Sequence, residues 1–322
     1  MATPTAVIGA KSKPVSGRLR GADEVAWAVT FLFALLILAV TIWLVYELWS
    51  ASAPSRQKFG FGFLTSRLWN PVTDEFGALP YIYGTVLTSF LALLISVPLG
   101  VGAAVYLSEL APPKLSNALT FLVELLAAVP SVIFGLIAIF TLIPLMRTVI
   151  GPALKSAFGW TPFFTGPVFG VGYLTAGIIL AIMTFPFIIS VSREALMSVP
   201  REQREAALAL GATKWESTYQ IVVPFARLGI FGSIFLGLAR ALGETMAVTM
   251  VIGNSPTIKA SLLASGHTIA AVIASEFTEA TGKIYTAALV ELGLVLFVLT
   301  MTINGLAQLL ILITTKKGSG KA

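Results

Sequence analysis

Long apolar runs separated by short polar segments fill most of the chain. A helix needs about 20 mainly apolar residues to cross a hydrocarbon core of about 30 Å. Six blocks qualify: Val25 to Trp49, Tyr81 to Leu107, Ala118 to Met146, Gly170 to Ser192, Leu228 to Ile252 and Ile284 to Leu312. The pattern predicts an all-α integral membrane protein with six transmembrane helices. Pro98, Gly100 and Gly102 interrupt the second block, Pro130 the third and Pro186 the fourth. Lipid tolerates such interruptions only where neighbouring helices satisfy the freed backbone groups, so these spans should pack as a bundle. Ala51-Ser52-Ala53 imitates a signal-peptidase site, but the block before it exceeds the roughly 7–15 residues of a signal-peptide core and is read as an uncleaved span.

Composition agrees with lipid as the solvent: 57% of the 322 residues are apolar and 11% charged, against about 25% charged in soluble domains. The net charge of +6 is scattered between the apolar blocks and forms no continuous basic face, which argues against nucleic acid as a partner. With no cysteine and only His267, thiol nucleophiles, disulfides and His/Cys metal clusters are excluded. A membrane enzyme would need such groups; His267 reads as a surface or packing residue.

Lys and Arg are enriched in cytoplasmic loops. The N-terminal tail, the loops after spans two and four, and the C-terminal tail hold 13 of them; the opposite side holds 7, and Arg240 lies inside span five. Both termini are therefore expected in the cytoplasm, and residues 193–227 form the longest cytoplasmic loop. The resulting division is a tail over 1–24, a first helix and its outer loop over 25–80, a five-helix core over 81–314 containing loop 193–227, and a tail over 315–322.

That loop carries helix signals. Pro200 opens a short amphipathic stretch, Arg201 to Leu210, and Gly211 closes it. Thr213-Lys214-Trp215-Glu216 fits a capping box, starting a second helix that runs to Pro224. Two helices hinged at a glycine and bearing Ala206, Ala207 and Ala209 offer a surface for close packing, although the same signals describe a solvated hairpin. The residues Glu205-Ala206-Ala207, three more, Gly211, nine more, then Ile221-Val222-Val223-Pro224 resemble the EAA motif of ABC-importer permeases, with Val223 replacing a leucine. The resemblance implies a loop seated on an ATPase subunit, with Glu205, Ala206, Ala207, Gly211 and Pro224 in the coupling motif.

In span five, Arg240 and Glu244 are charges in an apolar block, each costing on the order of 2.5–3.5 kcal/mol at the bilayer centre on insertion scales. On a continuous helix Ser233, Gly237, Arg240 and Glu244 share one face, and Phe231, Phe235, Leu238, Leu242 and Met246 the other. Either the two charges pair within the helix, or the guanidinium engages a passing oxyanion while the carboxylate holds it in place or accepts a hydrogen bond from a protonated phosphate oxygen.

The run Gly237 to Val248, with Val251-Ile252-Gly253-Asn254, Val129 to Gly135 and Gly266 to Ala271, is similar to the PstC family of phosphate-specific transport permeases. The similarity extends from about residue 81 to the end. It implies the type I ABC importer (MetI-like) fold and ATP-driven phosphate import, with Arg240 and Glu244 tied to phosphate movement. It also implies a PstA-type sister permease, a PstB-type ATPase dimer holding ATP and Mg, and a PstS-type phosphate-binding protein. This chain itself is expected to hold no cofactor and to hydrolyse no ATP: its tail Lys316-Lys317-Gly318-Ser319-Gly320-Lys321 lacks the first glycine and the Ser/Thr of a phosphate-binding loop. Other oxyanions, sulfate or molybdate, remain alternative cargoes. A secondary transporter, which often shows inverted repeats, fits the sequence less well.

Overall fold

The structure is a computed structural model and describes residues 17–318. Lys11 and Lys13 of the N-terminal tail and the closing Ser319-Gly320-Lys321 lie outside the described residues. Helix α1 (Gly17–Ala51) contains the first of six helices, among the described residues, that are long and apolar enough to cross a membrane. It forms one compact unit as far as Ser50, and the chain from Ala51 onward forms the other.

The second unit begins with two short helices, α2 (Ala53–Phe59) and α3 (Gly62–Thr65). Next come spanning helix α4 (Leu79–Leu110), α5 (Pro113–Ala127), spanning helix α6 (Ser131–Phe158) and spanning helix α7 (Tyr173–Met197). The short α8 (Arg201–Ala209) leads to α9 (Lys214–Gly243), the fifth span. After α10 (Met246–Val251) and α11 (Ile269–Glu276), α12 (Lys283–Gly318) supplies the sixth.

Two of the expected spans have different bounds. Within Ala118 to Met146 helix α5 stops at Ala127, the chain turns at Pro130, and the spanning helix starts at Ser131. The proline ring disfavours helical geometry at Val129, and hydropathy alone cannot see that. Glu124 is exposed on α5. The fifth span starts earlier and ends sooner than Leu228 to Ile252, stopping at Gly243.

Helix α7 is the most buried of the six spans and organises the bundle. It packs along α4, where glycines let the two helices approach: a Cβ on Gly100 would lie 2.7 Å from Ile188, and one on Gly177 2.7 Å from Leu91. On its other side α7 meets α9. At its first turn the Gly172 and Tyr173 amides donate to the carbonyls of Val251 and Ala264 at 3.0 and 3.1 Å. The far end of α10 and the following loop are thereby tied to the start of α7.

Three prolines inside long helices share one local device. Pro144, Pro152 and Pro224 each stand two residues beyond a turn of wide, i to i+5 hydrogen bonding: Ala138–Leu142, Met146–Ile150 and Thr218–Val222. A proline ring clashes with the carbonyl four residues back and offers no N–H. Widening the preceding turn relieves both problems without ending the helix.

Candidate translocation site and docking loop

The interface of α7 and α9 sets the position of Arg240. Ala195 lies against Gly229, where a Cβ would fall 2.3 Å from the alanine Cβ. The hydroxyls of Ser192 and Ser233 are 2.7 Å apart, and Ile188 covers Gly237. One step further along α9, the Arg240 guanidinium carbon stands 4.3 Å from the centre of the Phe187 ring. The small, polar face expected for span five thus packs into the bundle through Ser233, Gly237 and Arg240. On the opposite face Phe231 is exposed and Leu242 is buried.

Phe187 fixes the depth of the arginine. It lies ten residues from Met197 and fourteen from Tyr173 on α7, or about 15 Å and about 21 Å at 1.5 Å per residue. The guanidinium is therefore near the middle of the spanning layer. Its Nε is buried with no hydrogen-bond partner, and no ion pair joins it to Glu244. An intrahelical pair, one of the two readings open from sequence, does not form.

The reason is a break in the helix. Gly243 is the last residue of α9; Glu244 is extended, with φ −71° and ψ 128°, and α10 begins at Met246. Glu244 therefore leaves the face shared by Ser233, Gly237 and Arg240. Its Oε1 accepts from the Ala247 amide at 3.4 Å, a long bond that partly satisfies the first turn of α10. Irregular backbone at membrane depth persists only where protein buries it or where it lines a watered cavity. Glu244 is half-buried and stands at that break.

At the end of α7 nearest Met197, the short hairpin folds as its sequence signals demand. Pro200 precedes α8, and Gly211 takes φ +89°, where a side chain is strained even though the space around it is open. Thr213 and Glu216 form the capping box: Thr213 Oγ1 accepts from the Glu216 amide at 3.2 Å, and the Glu216 carboxylate accepts from the Thr213 amide at 2.7 Å. Glu205, Ala206 and Ala209 are exposed, whereas Ala207 is buried at 5% and belongs to the chain's own packing. The close-packing surface expected from three alanines is thus made by two. Pro224 is exposed and follows the wide turn described above.

Residues 96–312 match the family model described as binding-protein-dependent transport system inner membrane component. The phosphate transport system permease protein PstC of Mesorhizobium japonicum is 47% identical over 294 residues, covering 90% of each chain. The probable PstC of Methanocaldococcus jannaschii is 33% identical, covering 91% of this chain and 95% of its own. This chain belongs to the PstC permease family. The permease also shares its fold with a chain of a bacterial alginate ABC transporter, at TM-score 0.58 and 18% identity over 90% of this chain and 96% of that one. A chain of the methionine transporter MetNI aligns at TM-score 0.52 and 17% identity, covering 71% of the permease and 93% of its own length.

Two features of the site are not apparent in the sequence. Phe187 carried no signal beyond its place after Pro186, because pairing an aromatic with an arginine on another helix requires the tertiary register. The break at Glu244 had a weak local signal in Gly243, a residue common at helix ends. His267 proves to be a packing residue of the permease. It is 3% exposed, its ring meets Tyr81 edge-on at 5.4 Å, and its Nδ1 accepts from the Thr268 amide. Burial pushes its pKa down to about 4. Glu291 is 5% exposed with Oε2 unpartnered, and Asn304 Oδ1 is unpartnered as well.

Proposed function

We propose that the permease conducts inorganic phosphate across the cell membrane as the spanning subunit of an ATP-driven importer, with Arg240 as the residue that engages the anion in transit. The observation that carries this reading is a mid-depth guanidinium with a buried, unpartnered Nε, set beside a helix break. A buried cation without a counter-charge is costly, and a passing oxyanion supplies both the charge and acceptors matched to its planar fork. Glu244, standing where the backbone is irregular, accepts a hydrogen bond from the protonated oxygen that phosphate keeps at neutral pH and sulfate lacks. Relatives named as phosphate permeases support the choice of phosphate.

The α8–α9 hairpin, with Glu205, Ala206 and Gly211 facing outward or shaping the turn, docks an ATPase subunit. A sister permease of the PstA type completes the path, and a PstS-type protein delivers phosphate from outside. Both termini lie in the cytoplasm, the orientation that the Lys/Arg distribution favours. The test is uptake of labelled phosphate and sulfate by cells carrying the full transporter. Arg240→Ala and Arg240→Lys should each lower phosphate uptake at least tenfold, the lysine failing because it lacks the fork, while Glu244→Gln should shift the phosphate-to-sulfate ratio toward sulfate. Normal uptake by Arg240→Ala would sink the reading.

A further inference from the structure

Arg204 stands in the first turn of α8, one residue before Glu205. Its guanidinium is fully engaged. Nε donates to Glu109 Oε2 at 3.0 Å and Nη2 to Glu109 Oε1 at 2.8 Å, a bidentate pair with side chains only 21% and 10% exposed. Nη1 donates to the Val199 carbonyl and Nη2 also to the Leu196 carbonyl at 2.8 Å. Glu109 belongs to the wide turn Tyr106–Leu110 that finishes α4, and Leu196 to the last turn of α7. One side chain thus binds the docking helix to the ends of two spans at once.

The other exit from α8 is built differently. The chain leaves through Gly211, at φ +89° with open space around it, before α9 is capped at Thr213. Helix α8 is therefore tied by side-chain hydrogen bonds to the α4–α7 pair and joined to α9 through a glycine turn. Because α4 and α7 meet at glycine contacts without slack, a displacement of α8 reaches them as a unit. The pair carries Phe187, and α9, held to α7 at Gly229, Ser233 and Gly237, carries Arg240.

We propose that the Arg204–Glu109 pair is the strut that transmits movement of the docking helix to α4 and α7, and through them to the closely packed α9 that carries Arg240, when the ATPase works. Arg204 and Glu109 are positioning residues in this scheme. The inference rests on the docking role of α8 given above. It predicts uncoupling: a transporter that assembles and hydrolyses ATP but moves little phosphate.

The experiment uses the complete transporter in proteoliposomes and reads three quantities: co-purification of the ATPase, ATP hydrolysis, and phosphate uptake per ATP hydrolysed. Arg204→Gln and Glu109→Gln should each keep the first two near wild type and lower uptake per ATP at least fivefold. Arg204→Lys, which keeps the charge but loses the fork, should fall between. Unchanged uptake per ATP in both glutamine variants would overturn the strut, as would loss of ATPase co-purification, which would make Arg204 a docking contact. A proportional fall of hydrolysis and uptake would equally count against it, since that marks lost folding. Failure of the docking reading itself is visible separately, as wild-type permease that does not retain the ATPase.

Discussion

A guanidinium at mid-membrane needs compensation, and Phe187 supplies part of it. With the arginine carbon 4.3 Å from the ring centre, a desolvated cation–π contact is worth up to about 2 kcal/mol, comparable to the insertion cost of the charge. Phe187→Leu removes the ring face and keeps apolar bulk, so it should lower phosphate uptake several-fold at unchanged membrane abundance, whereas Phe187→Tyr should stay close to wild type. His267 gives a second prediction on this scale. Its folded pKa of about 4 lies below the ordinary value of 6.5, so the unfolded chain binds the extra proton first. Stability from this group is fully present above about pH 6.5 and declines as the pH falls toward 4. The melting temperature of the purified permease should drop across that window, and His267→Asn, which keeps an acceptor for the Thr268 amide, should flatten the drop.

The helices divide into those that sequence patterns describe and those that need the backbone. The Pro200, Gly211 and Thr213–Glu216 signals are local, each satisfied by neighbours within a few residues, and the α8–α9 hairpin follows them almost residue for residue. The α5–α6 boundary and the end of α9 are invisible to hydropathy, because an apolar run looks the same whether or not its helix continues. Only Pro130 and Gly243 hint at the breaks, and in lipid-facing segments such residues are often tolerated without one. Likewise Arg240 was legible as a costly charge, but its aromatic cover and its separation from Glu244 depend on how α7 and α9 register. The hairpin yields a prediction of its own. A proline at 211 cannot adopt φ +89°, so Gly211→Pro should insert normally into the membrane yet abolish both transport and co-purification with the ATPase; Thr213→Ala, which loses the cap, should cost about 1 kcal/mol and leave transport measurable.

For the whole molecule, every functional assignment depends on which side of the membrane each loop faces. Loops 159–172 and 252–268 meet near the start of α7, where the Leu262 amide donates to the Phe163 carbonyl at 2.8 Å, and the α8–α9 hairpin lies at its other end. The two sets of loops must therefore face opposite compartments if α7 spans. The proposed orientation, which the Lys and Arg bias favours, puts the hairpin in the cytoplasm. The chain has no cysteine, so single substitutions report without background. Ser255→Cys should react with a membrane-impermeant maleimide in intact cells, and Gln203→Cys, on exposed α8, only after the membrane is opened. The reverse pattern would put the hairpin where no ATP-hydrolysing partner can reach it. Arg240 would keep its depth under either orientation, since Phe187 fixes it from both ends of α7, but the work that moves an anion past it would then have to come from the other side.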